Sequence, residues 1–158
     1  PLIITAAGMF FFYARINLVY TFTGVILAHV ALATPFVVIT VTATLVGFDM
    51  NMVKAAQSLG AKPMRTFFKV IMPLILPGII SGALFAFITS FDEVVIVMFM
   101  ASIDQLTIPK QMWAGIRQEI SPVILCMATC LVLLSIFLLT TVELLRRRSE
   151  KLRGIKAR

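Results

Sequence analysis

The residues with chemistry to offer are few, and most of them sit inside apolar runs. Asp92 and Glu93 interrupt the stretch LFAFITSFDEVVIVMFM. Read as helix at about 100° per residue, Gly78, Ser81, Phe85, Thr89 and Asp92 fall within an arc of about 80°. One stripe of that helix is therefore small, hydroxylic or acidic. Asp92 lies roughly 28 Å of helical rise beyond Pro73, in the outer half of a bilayer if the helix starts at the inner boundary. A carboxylate at such depth is costly unless it faces water, a partner or a cationic ligand. Asp92, Thr89, Phe85, Ser81 and Glu93 are thus candidates for the wall of a solute path, with Asp92 as counter-charge and Glu93 pointing about 100° away from it. The alternative is an acidic pair that ends the helix and meets solvent. His29, the single histidine, is read as a packing residue hydrogen-bonded to backbone or to a hydroxyl such as Thr34, with a proton relay as the other possibility. Cys126 and Cys130 share a helix face but lack the further ligands that a structural metal site needs, so they read as small packing residues.

A second constellation, NMVKAAQSLGAKPMRTFFKVIMP over 51–73, combines apolar and basic faces. Met52, Ala55, Ala56 and Leu59 follow the i, i+3, i+4, i+7 spacing of one helix face. Met64, Phe67, Phe68 and Ile71 repeat it, while Lys62, Arg65, Thr66 and Lys69 take the opposite side. Gly60 suits the left-handed position that ends a helix, and Pro63 the first turn of the next. The segment predicts helix, turn, helix, with a surface that docks on a soluble partner.

The spacing Lys54-Ala55-Ala56, Gly60, Val70-x-Met72-Pro73 resembles the EAA loop of the permease subunits of type I ABC importers. Ala55, Ala56, Gly60 and Pro73 match that pattern, Val70 and Met72 are conservative replacements, and Lys54 stands where Glu is usual. The runs GVILAHVALATPFVVITVTATLVGFD and SFDEVVIVMF look most like the spermidine/putrescine branch. The resemblance implies an all-α, polytopic transmembrane bundle with a cytoplasmic coupling loop over 49–73. There Lys54, Ala55, Ala56, Leu59, Gly60, Met64, Phe67, Phe68 and Pro73 would meet the ATPase. It also implies a bacterial inner-membrane location, a second permease subunit, a cytoplasmic ATPase dimer, an external solute-binding protein and a small-molecule solute, here a polyamine. ATP would be bound by the partner ATPase, leaving this chain without cofactor, metal or catalytic residue. The chain itself has no G-x-x-x-x-G-K-[ST] to cradle phosphate.

Composition supplies the setting that these constellations need. At 60% hydrophobic and 13% charged residues, the chain departs from soluble domains, which carry about 25% charge. It is read as an integral membrane protein in contact with lipid. The net charge of +7 is concentrated in 54–69 and in the tail 146–158, both beside apolar runs. The positive-inside tendency places these segments, and with them the C-terminus, in the cytoplasm. Arg146, Arg147 and Arg148 then read as a topology anchor beside anionic lipid rather than a nucleic-acid patch. Within a permease domain over 1–145, the expected spans are about 1–14 (partial), 21–46, 74–101 and 122–145. Pro35 is expected to kink or open the second. An amphipathic surface helix is expected over 103–121, with Ile108, Met112, Ile116 and Ile120 on one side and Trp113 as interfacial anchor. Because the chain opens on Pro1 inside an apolar run, it is expected to be part of a longer permease.

Other readings stay open. The same importer class also serves iron, opines and sulfur oxyanions. An intramembrane enzyme would need a nucleophile beside a base, and no G-x-S-x-G signal accompanies His29. A channel is the remaining alternative.

Overall fold

The computed structural model describes residues 1–118 and 121–152, and every described element is helical. In chain order these are α1 (Leu2–Arg15), α2 (Phe22–Val46), α3 (Met50–Ser58), α4 (Pro63–Thr66), a π-helical turn (Phe67–Ile71), α5 (Met72–Phe91), α6 (Val95–Met100), α7 (Ile108–Gln118) and α8 (Pro122–Leu152). Three stretches, Phe22–Val46, Pro63–Phe91 and Pro122–Thr141, are long and apolar enough to cross a membrane. Their large side chains are widely exposed, Phe22, Phe36, Phe85 and Phe137 among them. In water such a surface would aggregate; in lipid it is the expected exterior, because acyl chains satisfy it while each helix satisfies its own backbone. The protein is a multi-pass membrane protein.

Contacts divide the chain into two compact units, with α2, α5 and α8 contributing residues to both. The first comprises Pro1–Thr34 and Phe87–Thr140. Its core is Ala6, Tyr13, Ala28, Ile96 and Met100, sheathed by half-buried side chains including Phe10, Leu18, Val25 and Phe99. The short α6 thus lies inside this unit against α1. The turn between α1 and α2 closes over it through left-handed Asn17 and Tyr20 (φ 55° and 63°). The Tyr20 amide donates to the Met100 carbonyl at 2.9 Å. Thr21 starts α2: its Oγ1 accepts from the Gly24 amide at 3.0 Å and donates to the Leu18 carbonyl at 2.7 Å. Gly24 must lack a side chain there, since a Cβ would collide with the Leu18 carbonyl oxygen.

The second unit comprises Pro35–Ala86 and the described part of Thr141–Arg158. Here α5 approaches α2 closely through buried Gly78 and Gly82. A Cβ on Gly78 would strike the Thr44 hydroxyl, and one on Gly82 would sit 3.1 Å from the Val37 Cα. The threonines that face them turn their hydroxyls back onto their own helix, Thr44 donating to the Thr40 carbonyl at 2.9 Å. This small-residue packing brings backbones together without an unsatisfied polar group.

Three expectations differ from what is observed. The run 74–101, expected as one span, is two helices broken at Asp92–Val94, because the Glu93 carboxylate takes the Ile96 amide at 2.8 Å and starts a new helix. The surface helix expected over 103–121 begins only at Ile108, since Thr107 Oγ1 accepts from the Lys110 amide and caps it there. Glu119 and Ile120, which completed that pattern, lie outside the described residues. The last helix runs past 145 to Leu152, and Arg147 Nε donates to Glu143 Oε1 one turn back at 2.8 Å; the tail beyond it, 153–158, lies outside the described residues. Pro35 lies inside α2, which is helical on both sides of it.

Candidate functional site

The basic–apolar segment is built by local signals. Asp49 caps α3, its Oδ1 accepting from the Asn51 amide at 2.9 Å. The other end closes as a Schellman turn: the Gly60 amide donates to the Gln57 carbonyl at 2.9 Å and the Ala61 amide to the Ala56 carbonyl at 3.0 Å. Gly60 takes φ 79°, which L side chains rarely adopt. Pro63 occupies the first turn of α4. From there the chain stays helical to Phe91, passing through the π turn. A proline ring clashes with the carbonyl four residues back; for Pro73 that is Lys69, which lies inside the wider π turn.

Among the residues expected to meet a partner, Leu59 is 88% exposed and Met64 68%, with Met52 and Phe68 also exposed. Lys54, Ala55, Gly60 and Phe67 are exposed, whereas Ala56 and Pro73 are half-buried. Phe67 and Phe68 meet edge to face at 5.1 Å. Lys54, Lys62, Arg65 and Lys69 of the same segment are exposed cations. Contiguous exposed apolar groups rimmed by charge mark an interaction surface. Thr66, assigned to the solvent side by periodicity, is instead 2% exposed, and its Oγ1 has no hydrogen-bond partner among the described residues. The widened π turn that follows changes the register on which the periodicity rests.

The acidic end lies in the first unit. Thr89, Asp92 and Glu93 line one cavity of about 410 Å³, together with Leu2, Ile88, Val94 and Val95. Asp92 is exposed and also borders a second, largely apolar cavity of about 450 Å³, with Met112 and Trp113 of α7 and Val132 and Ile136 of α8 in its wall. Glu93 is the more sequestered carboxylate, 7% exposed and tied to the α6 amide. Ser81, half-buried, and Phe85, exposed, precede these residues on α5 in the second unit.

Two contributors escaped the periodicity. Asp49 carries a local signal, an acidic residue just ahead of an amphipathic pattern. Ser90 carries none: it falls off the stripe, yet its Oγ is 2.9 Å from Nδ1 of His29 on α2. The histidine is therefore hydrogen-bonded, to Ser90, while Thr34 donates to the Val30 carbonyl of its own helix. No group of three or more His, Cys, Asp or Glu able to hold a metal occurs among the described residues, and Cys126 and Cys130 are free and exposed.

Comparison with known proteins places the chain in a family. The chain is 30% identical over 150 residues to the spermidine/putrescine transport system permease protein PotC of Haemophilus influenzae, covering 95% of the chain and 58% of that protein. It is 29% identical over 151 residues to PotC of Escherichia coli, covering 96% and 57%. It is 37% identical over 103 residues to the putrescine transport system permease protein PotI of Escherichia coli, covering 65% and 37%. The chain thus spans less than three fifths of the length of these relatives. The family described as the binding-protein-dependent transport system inner membrane component matches residues 1–151. By that match, and by its membrane-length helices, the chain belongs to the binding-protein-dependent transport system inner membrane component family.

Proposed function

We propose that the chain is part of the permease of an ATP-driven importer for a small polyamine, with the surface over 49–73 coupling it to a cytoplasmic ATPase. The observation that carries this reading is one helical path. It starts at Pro63 among exposed apolar and basic residues and ends at Phe91, one residue before Asp92. Such a path transmits displacement, because a helix is stiff along its axis while the groups docked at its end are not.

In this reading the ATPase binds and hydrolyses ATP, and its closure pushes on α3 and α4. A second permease subunit completes the passage, and an external binding protein delivers the solute. The loop 49–73 and the C-terminus face the cytoplasm, in the inner membrane of a bacterium. Polyamines are aliphatic chains ending in ammonium groups. An exposed carboxylate between a cavity holding Thr89 and Glu93 and an apolar wall holding Trp113 suits both parts of such a molecule. The names of the relatives support the same solute class.

The test is uptake of labelled putrescine and spermidine by the complete transporter in proteoliposomes. Asp92→Asn is expected to raise KM about tenfold, the scale of one charge-assisted contact. An unchanged KM would remove Asp92 from the solute path, and a complex that isolates without any ATPase would remove the coupling surface.

A further inference from the structure

The break between α5 and α6 is held by a side chain on each flank. On the α6 flank Glu93 Oε1 accepts from the Ile96 amide at 2.8 Å. On the α5 flank the imidazole of His29 reaches from α2 to Ser90, with 2.9 Å between Nδ1 and Oγ across 61 residues of sequence. These contacts share one foundation. Ala28, beside His29, is fully buried in the same core as Ile96 and Met100 of α6. His29 is therefore fixed relative to α6, and through Ser90 it fixes the last turn of α5. Between the two flanks the backbone is weakly held: the Asp92 amide makes only a long 3.5 Å contact to the Ile88 carbonyl. The position of the Asp92 carboxylate thus depends on where α5 stops.

We infer that His29 is a positioning residue for the cation site at Asp92, acting through its Nδ1 contact with Ser90. The inference rests on the reading of Asp92 as counter-charge. It assigns His29 a role in solute affinity rather than in proton transfer or general packing. Loss of one interhelical hydrogen bond of this kind corresponds to a factor of roughly three to ten.

The contact is made by Nδ1, so the two amide replacements behave differently. Asn places its amide near the position of Nδ1, whereas Gln extends to that of Nε2. In proteoliposomes containing the complete transporter, with labelled putrescine as solute, His29→Gln is expected to raise KM roughly three- to tenfold with Vmax little changed. His29→Asn is expected to stay within about twofold of the parent. Ser90→Ala should match His29→Gln, and the double variant should be no worse than either alone. In an Asp92→Asn background, His29→Gln should change KM no further. Equal effects of Asn and Gln, or an additive double variant, would overturn the positioning role. Should His29→Gln fail to assemble, Ser90→Ala against Ser90→Thr, which keeps the hydroxyl, makes the same distinction. A KM unmoved by Asp92→Asn alone would instead dismiss the counter-charge, a result separate from any effect at His29.

Discussion

Gly60 and Asp49 show how much a single residue can decide about the proposed coupling surface. Gly60 holds φ 79° in a Schellman turn with open space around it, so the obstacle to a side chain there is backbone strain rather than a clash. A β-branched residue in that conformation costs about 1–2 kcal/mol, and the turn relaxes by swinging α3 away from α4. Gly60→Val is expected to leave membrane insertion intact while transport per ATP hydrolysed falls severalfold, which parallel assays of hydrolysis and uptake would measure; normal coupling would count against the reading. Asp49→Ala removes a cap worth about 1 kcal/mol without touching the exposed face, and should produce a milder loss in the same assay. Gly60 and Pro63 were legible in the sequence because their conformational demands are local. The tie between His29 and Ser90 was not, since nothing in a one-dimensional pattern pairs residues 61 positions apart. The contrast between exposed Asp92 and buried Glu93 was hidden for a related reason: a continuous periodicity cannot show a helix that stops.

At the scale of elements, the π turn is the least ordinary feature of the path from α4 to α5. It holds one residue more than an α-helix would over the same stretch, and it lets Pro73 sit within a continuous helix without a clash at Lys69. Deleting Val70 would return the segment to α-helical register and rotate everything before it by about 100° relative to α5. The exposed face of Leu59, Met64 and Phe68 would then turn away from its partner. The expected outcome is a chain that still reaches the membrane but no longer retains the ATPase on purification. Retention with normal uptake would show that the register at this turn is immaterial. The two halves of this path were readable to different degrees. Apolar periodicity and the glycine and proline signals outlined helix, turn and helix. The π turn ahead of Pro73 and the buried Thr66 carry no such local signal, and the break before α6 comes from a glutamate whose partner is a backbone amide.

For the whole molecule, the decisive issue is which side of the bilayer each connection occupies. The helical path from Pro63 to Phe91 has 29 residues, or about 43 Å, enough to cross roughly 30 Å of hydrocarbon. α2, with 25 residues, is also long enough. If both cross the bilayer, the turn before α2 and the loop after α6 share one side. Within the first unit hydrogen bonds agree with that pairing. Gln105 Nε2 donates to the Tyr20 carbonyl at 3.3 Å, and the Tyr20 amide to the Met100 carbonyl at 2.9 Å, so the two connections meet. On the proposed reading, the excess of basic residues over 54–69 sets that loop in the cytoplasm. With Cys126 and Cys130 replaced by serine, a cysteine introduced at Lys54 should react with a membrane-impermeant maleimide only in inside-out vesicles. One at Ile103, itself 87% exposed, should react only in right-side-out cells. The assay needs no active transporter, so it separates topology from function. Labelling of position 54 from outside would leave the coupling surface with no access to a cytoplasmic ATPase.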